Sequence, residues 1–131
     1  HPQDSNTAWV AAMGPLWSAG GERGVYKTAD GGKSWRQVLP GDARTGASEL
    51  IIDPQNPNRL YASMWTFQRT PYSFNSGGAG SGLYRSVDGG ETWRRLGVAE
   101  GLPAGELGRI ALALAPSEPR IVYALVEAQK N

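Results

Sequence analysis

The chain has 131 residues, of which 40% are apolar and 19% charged, a composition typical of a globular protein. Its net charge of +1 and the scatter of its arginines predict no nucleic-acid partner, and the lack of a long apolar run predicts no membrane insertion. With no Cys and a single His, His1, disulfides and thiolate metal sites are excluded. We therefore expect no metal and no cofactor.

Residues 24–39 are predicted to form a hairpin. A β-type run at 24–27 leads into the octet TADGGKSW, residues 28–35, and another run follows at 36–39. Asp-Gly between two such runs is a strong turn signal. We expect Asp30 to accept hydrogen bonds from backbone N–H groups one to three residues on, and Trp35 to present a large apolar face to a neighbouring sheet.

The same octet returns 58 residues later as SVDGGETW, residues 86–93, between runs at 82–85 and 94–97. We name these segments the first octet and the second octet. A turn explains every position that they share, whereas a catalytic or metal-binding role would explain the Asp alone. The predicted structural positions are Thr28, Asp30, Gly32, Ser34 and Trp35 in the first octet and Ser86, Asp88, Gly90, Thr92 and Trp93 in the second.

A Pro-containing turn that precedes an apolar strand is the second repeated landmark. It occurs at 53–58 before a strand at 60–65, and at 115–120 before a strand at 121–126. Pro54 and Pro116 are 62 residues apart, and so are Tyr61 and Tyr123. Further strands precede these turns at 49–52 and 109–114. The repeat predicts four short antiparallel strands in about sixty residues, which is the blade of a β-propeller.

The octets resemble the Asp-box repeat, also called the bacterial neuraminidase repeat (BNR), with the pattern Ser/Thr-x-Asp-x-Gly-x-Thr/Ser-Trp. The wider sequence is similar to bacterial sortilin-like, glycosyl-hydrolase-type propeller proteins in segments 12–18, 107–116 and 122–128. This resemblance implies an all-β fold of antiparallel four-stranded blades. It also implies an extracytoplasmic location, either periplasmic or secreted.

Laid onto the chain, the repeat predicts a single partial propeller segment, residues 1–131, with about nine strands. Residues from about 7 to 39 would form part of one blade, 48–97 a complete blade, and 107–128 the first half of a third. A small propeller needs roughly sixteen strands or more. We therefore expect the chain to pack against the remainder of a larger propeller or, alternatively, against further copies of itself.

The candidate ligand site lies on the loops opposite the octets. An antiparallel meander places segments 14–23, 40–47, 66–81 and 98–106 on one face, and the long 66–81 segment is rich in aromatic residues. These residues would bind polysaccharide or polypeptide, or else pack onto the neighbouring blade. The candidates are Trp17, Trp65, Phe67, Arg69, Tyr72 and Phe74.

Catalysis is the alternative function. Glycoside hydrolysis needs two carboxylates that flank the scissile bond, and the weak candidates on the loop face are Glu22, Asp42, Glu100 and Glu106. No spacing singles out a pair, so we assign no catalytic residue. The sequence predicts a binding or scaffold segment; the alternative is part of a sialidase- or xyloglucanase-like hydrolase whose catalytic carboxylates lie largely outside this chain. A purely architectural role in assembly also stays open.

Overall fold

The computed structural model describes residues 1–129, which form ten antiparallel β-strands and a short 3-10 helix. This confirms the predicted all-β fold class. The strands are β1 Ala8–Ala12, β2 Gly24–Thr28, β3 Arg36–Pro40, β4 Thr45–Ile52, β5 Leu60–Arg69, β6 Phe74–Ser76, β7 Gly82–Ser86, β8 Arg94–Arg95, β9 Leu107–Leu114 and β10 Val122–Ala128, and the helix is Val98–Glu100. No helix within residues 1–129 is long and apolar enough to cross a membrane.

The strands form three sheets. The first has the order β1-β2-β3, the second has the order β4-β5-β7-β8 with β6 paired to β5, and the third consists of β9 and β10. Neighbouring strands in the sequence are mostly neighbours in a sheet, as expected of a meander. The assignment of these sheets to blades of a propeller stays a prediction.

The core consists of two apolar clusters, one on each side of the second sheet. Val25, Ala62 and Met64 belong to the cluster between the first and second sheets, whereas Tyr61 and Ile110 belong to the cluster that includes the third sheet. Because side chains alternate along a strand, β5 supplies residues to both clusters. This explains why residues 60–65 read as a nearly continuous apolar run.

Each octet folds into a turn around its Asp. Asp88 accepts hydrogen bonds from the hydroxyls of Ser86 at 2.7 Å and Thr92 at 2.5 Å, and from the backbone N–H groups of Glu91 at 3.1 Å and Thr92 at 2.9 Å. Asp30 has matching bonds from Thr28 and Ser34. The backbone bonds reach three and four residues on, further than the sequence analysis expected, because positive-φ glycines at both central positions widen the turn.

The two octet tryptophans differ in their surroundings. Trp93 packs against the cluster between the first and second sheets, and its Nε1–H donates to the Gly90 carbonyl at 3.1 Å. Trp35 lies on the outer face of the first sheet, where it remains 44% exposed beside Val10 and Tyr26. The first sheet therefore presents apolar surface on the face turned away from the second sheet.

Candidate ligand-binding surface

The 66–81 segment, expected to be a loop, forms a hairpin. Strand β5 continues to Arg69, a turn closed by the Thr70 N–H and the Ser73 carbonyl at 2.8 Å follows, and β6 returns with Arg69 opposite Phe74 and Phe67 opposite Ser76. The alternation of apolar and polar side chains from Trp65 to Gln68 suits an extended strand. It also places the side chains of Trp65, Phe67 and Arg69 on one face.

On that face, aromatic rings and guanidinium groups pack against one another. The Trp65 ring lies 4.4 Å from the Phe67 ring and 5.8 Å from the Phe74 ring, measured between centroids. The Arg69 guanidinium lies 5.2 Å from the Phe74 ring centroid and 5.6 Å from that of Trp17. The Arg109 guanidinium lies 5.4 Å from the Trp65 ring. We call this group the aromatic cluster: Trp17, Trp65, Phe67, Arg69, Phe74 and Arg109.

The loop that carries Trp17 is held in place by Arg23. Its side chain is buried, and its guanidinium donates to the backbone carbonyls of Met13 at 2.7 Å, Gly20 at 2.8 Å, Pro15 at 2.8 Å and Ser18 at 3.1 Å. The same guanidinium lies 5.0 Å from the Phe67 ring centroid. A planar fork of five donors suits such a set of carbonyls. Arg23 thereby fixes the loop to the floor of the aromatic cluster.

The structure brings five of the six candidate ligand-binding residues together. Trp65 and Phe67 are only 5% and 3% exposed and form the floor of the cluster, whereas Trp17 is 62% and Phe74 is 44% exposed. Tyr72 projects from the turn of the hairpin and is 97% exposed. The rings available to a ligand are therefore those of Trp17, Phe74 and Tyr72.

The third sheet adds two residues that sequence analysis did not place here, Arg109 and Glu127. The Trp65 Nε1–H donates to the Ser76 hydroxyl at 2.9 Å, and this hydroxyl donates to the Glu127 carboxylate. The Arg109 N–H also donates to Glu127, at 3.0 Å. These bonds, from the Ser76 hydroxyl first, lower the pKa of Glu127. No local pattern could have revealed this contact, because Ser76 and Glu127 are 51 residues apart.

Two of the four candidate catalytic carboxylates, Asp42 and Glu100, have lowered pKa values. Burial raises the pKa of Asp42, but hydrogen bonds from Arg44 and Thr45 outweigh it and leave this pKa lowered. The pKa of Glu100 is lowered by its bonds from Arg94 at 2.6 Å and the Gly97 N–H at 2.7 Å. A general acid needs a raised pKa instead.

Of the two remaining candidates, Glu22 lines an open cleft together with Asp42, but the lowered pKa of Asp42 does not suit a general acid there. Glu22 accepts a hydrogen bond from the Tyr26 hydroxyl, and Glu106 lines a small cleft that also contains Glu127. Within residues 1–129, no group of three His, Asp or Glu side chains is arranged to hold a metal ion.

Part of the chain is similar to a fungal xyloglucanase. Over 87 residues, 66% of this chain, it shares 30% identity with "Probable oligoxyloglucan-reducing end-specific xyloglucanase" from Neosartorya fischeri. The chain spans only 10% of the length of that relative. No protein-family model and no solved structure matches the chain. This distant similarity favours the glycoside-hydrolase-like alternative of the sequence analysis.

Proposed function

We propose that the chain is a segment of an Asp-box β-propeller in an extracytoplasmic, glycoside-hydrolase-like protein, and that its aromatic cluster binds a polysaccharide. The observation that carries the proposal is the exposed Trp17 ring, which packs on the Arg69 guanidinium that also contacts the Phe74 ring. A ring fixed on a rigid support can stack on the apolar face of a sugar without ordering a flexible loop.

The layout of the surface favours an extended ligand over a small molecule. Trp17, Phe74 and Tyr72 lie on an open surface at the end of a hairpin. A donor for sugar hydroxyls is at hand in the guanidinium of Arg69. Since the similar fungal protein is named a xyloglucanase, a xyloglucan oligosaccharide is the first ligand to test.

Calorimetric titration of the 131-residue chain with xyloglucan oligosaccharides tests the proposal. Replacement Trp17→Ala should weaken binding by about tenfold or more, because a stacked aromatic hot spot is removed. Trp35→Ala is the matched control, since it removes another exposed indole from the outer face of the first sheet. Equal affinity of the Trp17→Ala variant and the unmodified chain, or no binding by either, would contradict the proposal. If the unmodified chain binds members of a peptide library and not the oligosaccharide, and the Trp17→Ala variant loses that binding, the ligand is a polypeptide.

The second candidate function is a part in hydrolysis, favoured by the similarity to the xyloglucanase. The catalytic carboxylates would then lie largely outside this chain, because the pKa values of Asp42 and Glu100 are lowered. The chain alone should bind the oligosaccharide and release no reducing sugar. Release that disappears in a Glu106→Gln variant would instead place catalysis on this surface.

The chain in this proposal packs against the remainder of a larger propeller or against further copies of itself. Val10 and Trp35 remain partly exposed on the outer face of the first sheet, and Tyr123 and Leu125 on that of the third. Within the described residues, β10 pairs only with β9. Apolar sheet faces and open strand edges of this kind are normally covered in a mature assembly.

A further inference from the structure

The second octet is anchored to the first sheet by a row of three side chains. Its Gly89 carbonyl accepts hydrogen bonds from Trp9 Nε1 at 3.1 Å and Lys27 Nζ at 2.8 Å. Its Glu91 carboxylate bridges Lys27 and Arg36, with both ion pairs at 2.7 Å. Trp9, Lys27 and Arg36 lie directly opposite one another on β1, β2 and β3. We call them the first row.

The second sheet has a row of the same kind. Tyr61, Arg85 and Arg94 lie directly opposite one another on β5, β7 and β8. Arg85 and Arg94 follow Lys27 and Arg36 by 58 residues, the interval between the octets. We call Tyr61, Arg85 and Arg94 the second row. Since Tyr61 packs against the third sheet, the second row faces that sheet as the first row faces the second.

Within residues 1–129, no octet binds to the second row as the second octet binds to the first row. The Nε of Arg85 is buried there without a hydrogen-bond partner, and an unpaired buried donor is destabilising. Arg94 pairs with Glu100 at the surface. Beside these two arginines lies a cleft of about 350 Å³, lined also by Val87, Thr92 and Trp93. The geometry of the first row indicates what is missing: a carbonyl and a carboxylate.

A cleft of mixed apolar and charged lining continues from Tyr61 of the second row to the third sheet, with Glu100 and Arg120 at its rim. It has a volume of about 530 Å³, and its walls include Leu83 and Leu96 on one side and Val122 and Val126 of β10 on the other. In the second sheet the equivalent space is filled, because β7 pairs with β5 there. The free edge of β10, this cleft and the second row with the unpaired Arg85 Nε therefore offer one surface for a hairpin.

We propose that this surface docks a β-hairpin that carries a third octet with an acidic residue at its sixth position. The incoming strand would pair with the free edge of β10 and fill the cleft between the second and third sheets. The octet would bring its glycine carbonyl and its carboxylate to Arg85 and Arg94. The inference rests on the proposed propeller segment and adds the chemistry of the partner.

Charge determines which hairpin can dock. The sixth position is Lys33 in the first octet and Glu91 in the second. A second copy that presented its first octet would place the Lys33 ammonium against two guanidinium groups, and its second octet is already bound to its own first sheet. The octet that docks on the second row is therefore that of a further repeat of a longer polypeptide, and neither octet of another copy of this chain.

Binding of cyclised hairpin peptides to the 131-residue chain tests the inference, with fluorescence anisotropy as the readout. The probe is a peptide of residues 82–96, which contains Glu91, and its counterpart carries Glu91→Lys. The unmodified chain should bind the first peptide at least about tenfold more tightly than the second, because like charges meet in the second complex. A peptide of residues 24–39 should bind only after Lys33→Glu. Equal affinity for both forms of a peptide, or no binding of either, would overturn the inference.

A charge reversal in the chain identifies the surface. Arg85→Glu should reverse the preference, so that the Glu91→Lys peptide binds more tightly than the unmodified one. If circular dichroism shows that this variant is unfolded, Arg94→Glu serves the same purpose, since the Arg94 side chain is 61% exposed. Lys33→Glu in the chain is the control for net charge and should leave the preference unchanged. An unaltered preference in the reversed variant would refute docking at this row.

The result is separable from that for sugar binding. Trp17 contacts Arg69 at the end of β5, whereas Arg85 lies opposite Tyr61 near the start of β5. Trp17→Ala should therefore not change the affinity for the peptide. Conversely, Arg85→Glu should not change the affinity for a xyloglucan oligosaccharide. If only one of the two ligands, the hairpin peptide or the oligosaccharide, fails to bind as expected, that result identifies which proposal is wrong.

Discussion

At the scale of single residues, Asp88 links the second octet together by accepting bonds from two hydroxyls and two backbone N–H groups. Asp88→Ala should lower the free energy of unfolding by about 1–2 kcal/mol, because the N–H groups lose their acceptor. Urea titration measures the change. Glu118→Ala is the matched control, since Glu118 pairs only with the exposed Arg120 and should contribute little. Lost ligand binding with an unchanged melting curve would contradict a structural role for Asp88.

The charge state of Asp88 gives a second prediction at this scale. The Thr92 hydroxyl, then the Thr92 N–H and the Ser86 hydroxyl, lower the pKa of Asp88 from 3.8 to about 2. A carboxyl whose pKa is lower in the folded than in the unfolded state stabilises the fold above the unfolded pKa and ceases to do so as pH falls through the folded one. The stability difference between the unmodified chain and Asp88→Ala should therefore shrink between pH 4 and pH 2. A difference that stays constant over this range would contradict binding of the ionised carboxylate.

At the scale of elements, the sequence predicts local structure better than contacts between sheets. The octet turns could be expected because their hydrogen bonds span at most four residues and use side chains suited to turns. The hairpin at 66–81 was expected as a loop, since its Pro, Ser and Gly residues obscured the short strand β6. The contacts of Trp17 with Arg69 and of Ser76 with Glu127 depend on the packing of separate elements. No spacing in the sequence encodes them.

The loop that carries Trp17 gives a prediction at this scale. Arg23→Lys replaces a planar fork of donors with a single ammonium group that cannot reach four carbonyls. We expect a loss of about 1–3 kcal/mol in the free energy of unfolding, faster amide exchange in residues 13–23, and weaker oligosaccharide binding. Arg44→Lys is the control, because the Arg44 side chain bonds only that of Gln68 at the surface, and its backbone bonds are kept in the variant. Exchange that stays slow in the Arg23→Lys variant would show that other contacts hold the loop.

At the scale of the whole molecule, the repeat explains how the sheets are joined. The second octet is bound by the first sheet, and β5 is buried between two apolar clusters, so the first two sheets share both a polar and an apolar contact. The spacing of the octets and the Pro turns predicted this order of strands. It could not predict the bridging of Lys27 and Arg36 by Glu91, since octet residues at the sixth position differ in charge.

The outer face of the third sheet gives the last prediction. Leu125 is 79% and Tyr123 63% exposed on β10, whose second edge has no partner within residues 1–129. An apolar strand with a free edge favours association with other strands. Light scattering should therefore show a mass that rises with concentration, while circular dichroism shows a folded β-protein.

Leu125→Lys should suppress this association with little change in the free energy of unfolding, because charge on an edge strand opposes pairing and the side chain is mostly exposed. Val98→Lys adds the same charge at an exposed position in the 3-10 helix and should leave the association intact. Equal suppression by both variants would mean that net charge, and not the face of β10, controls the association.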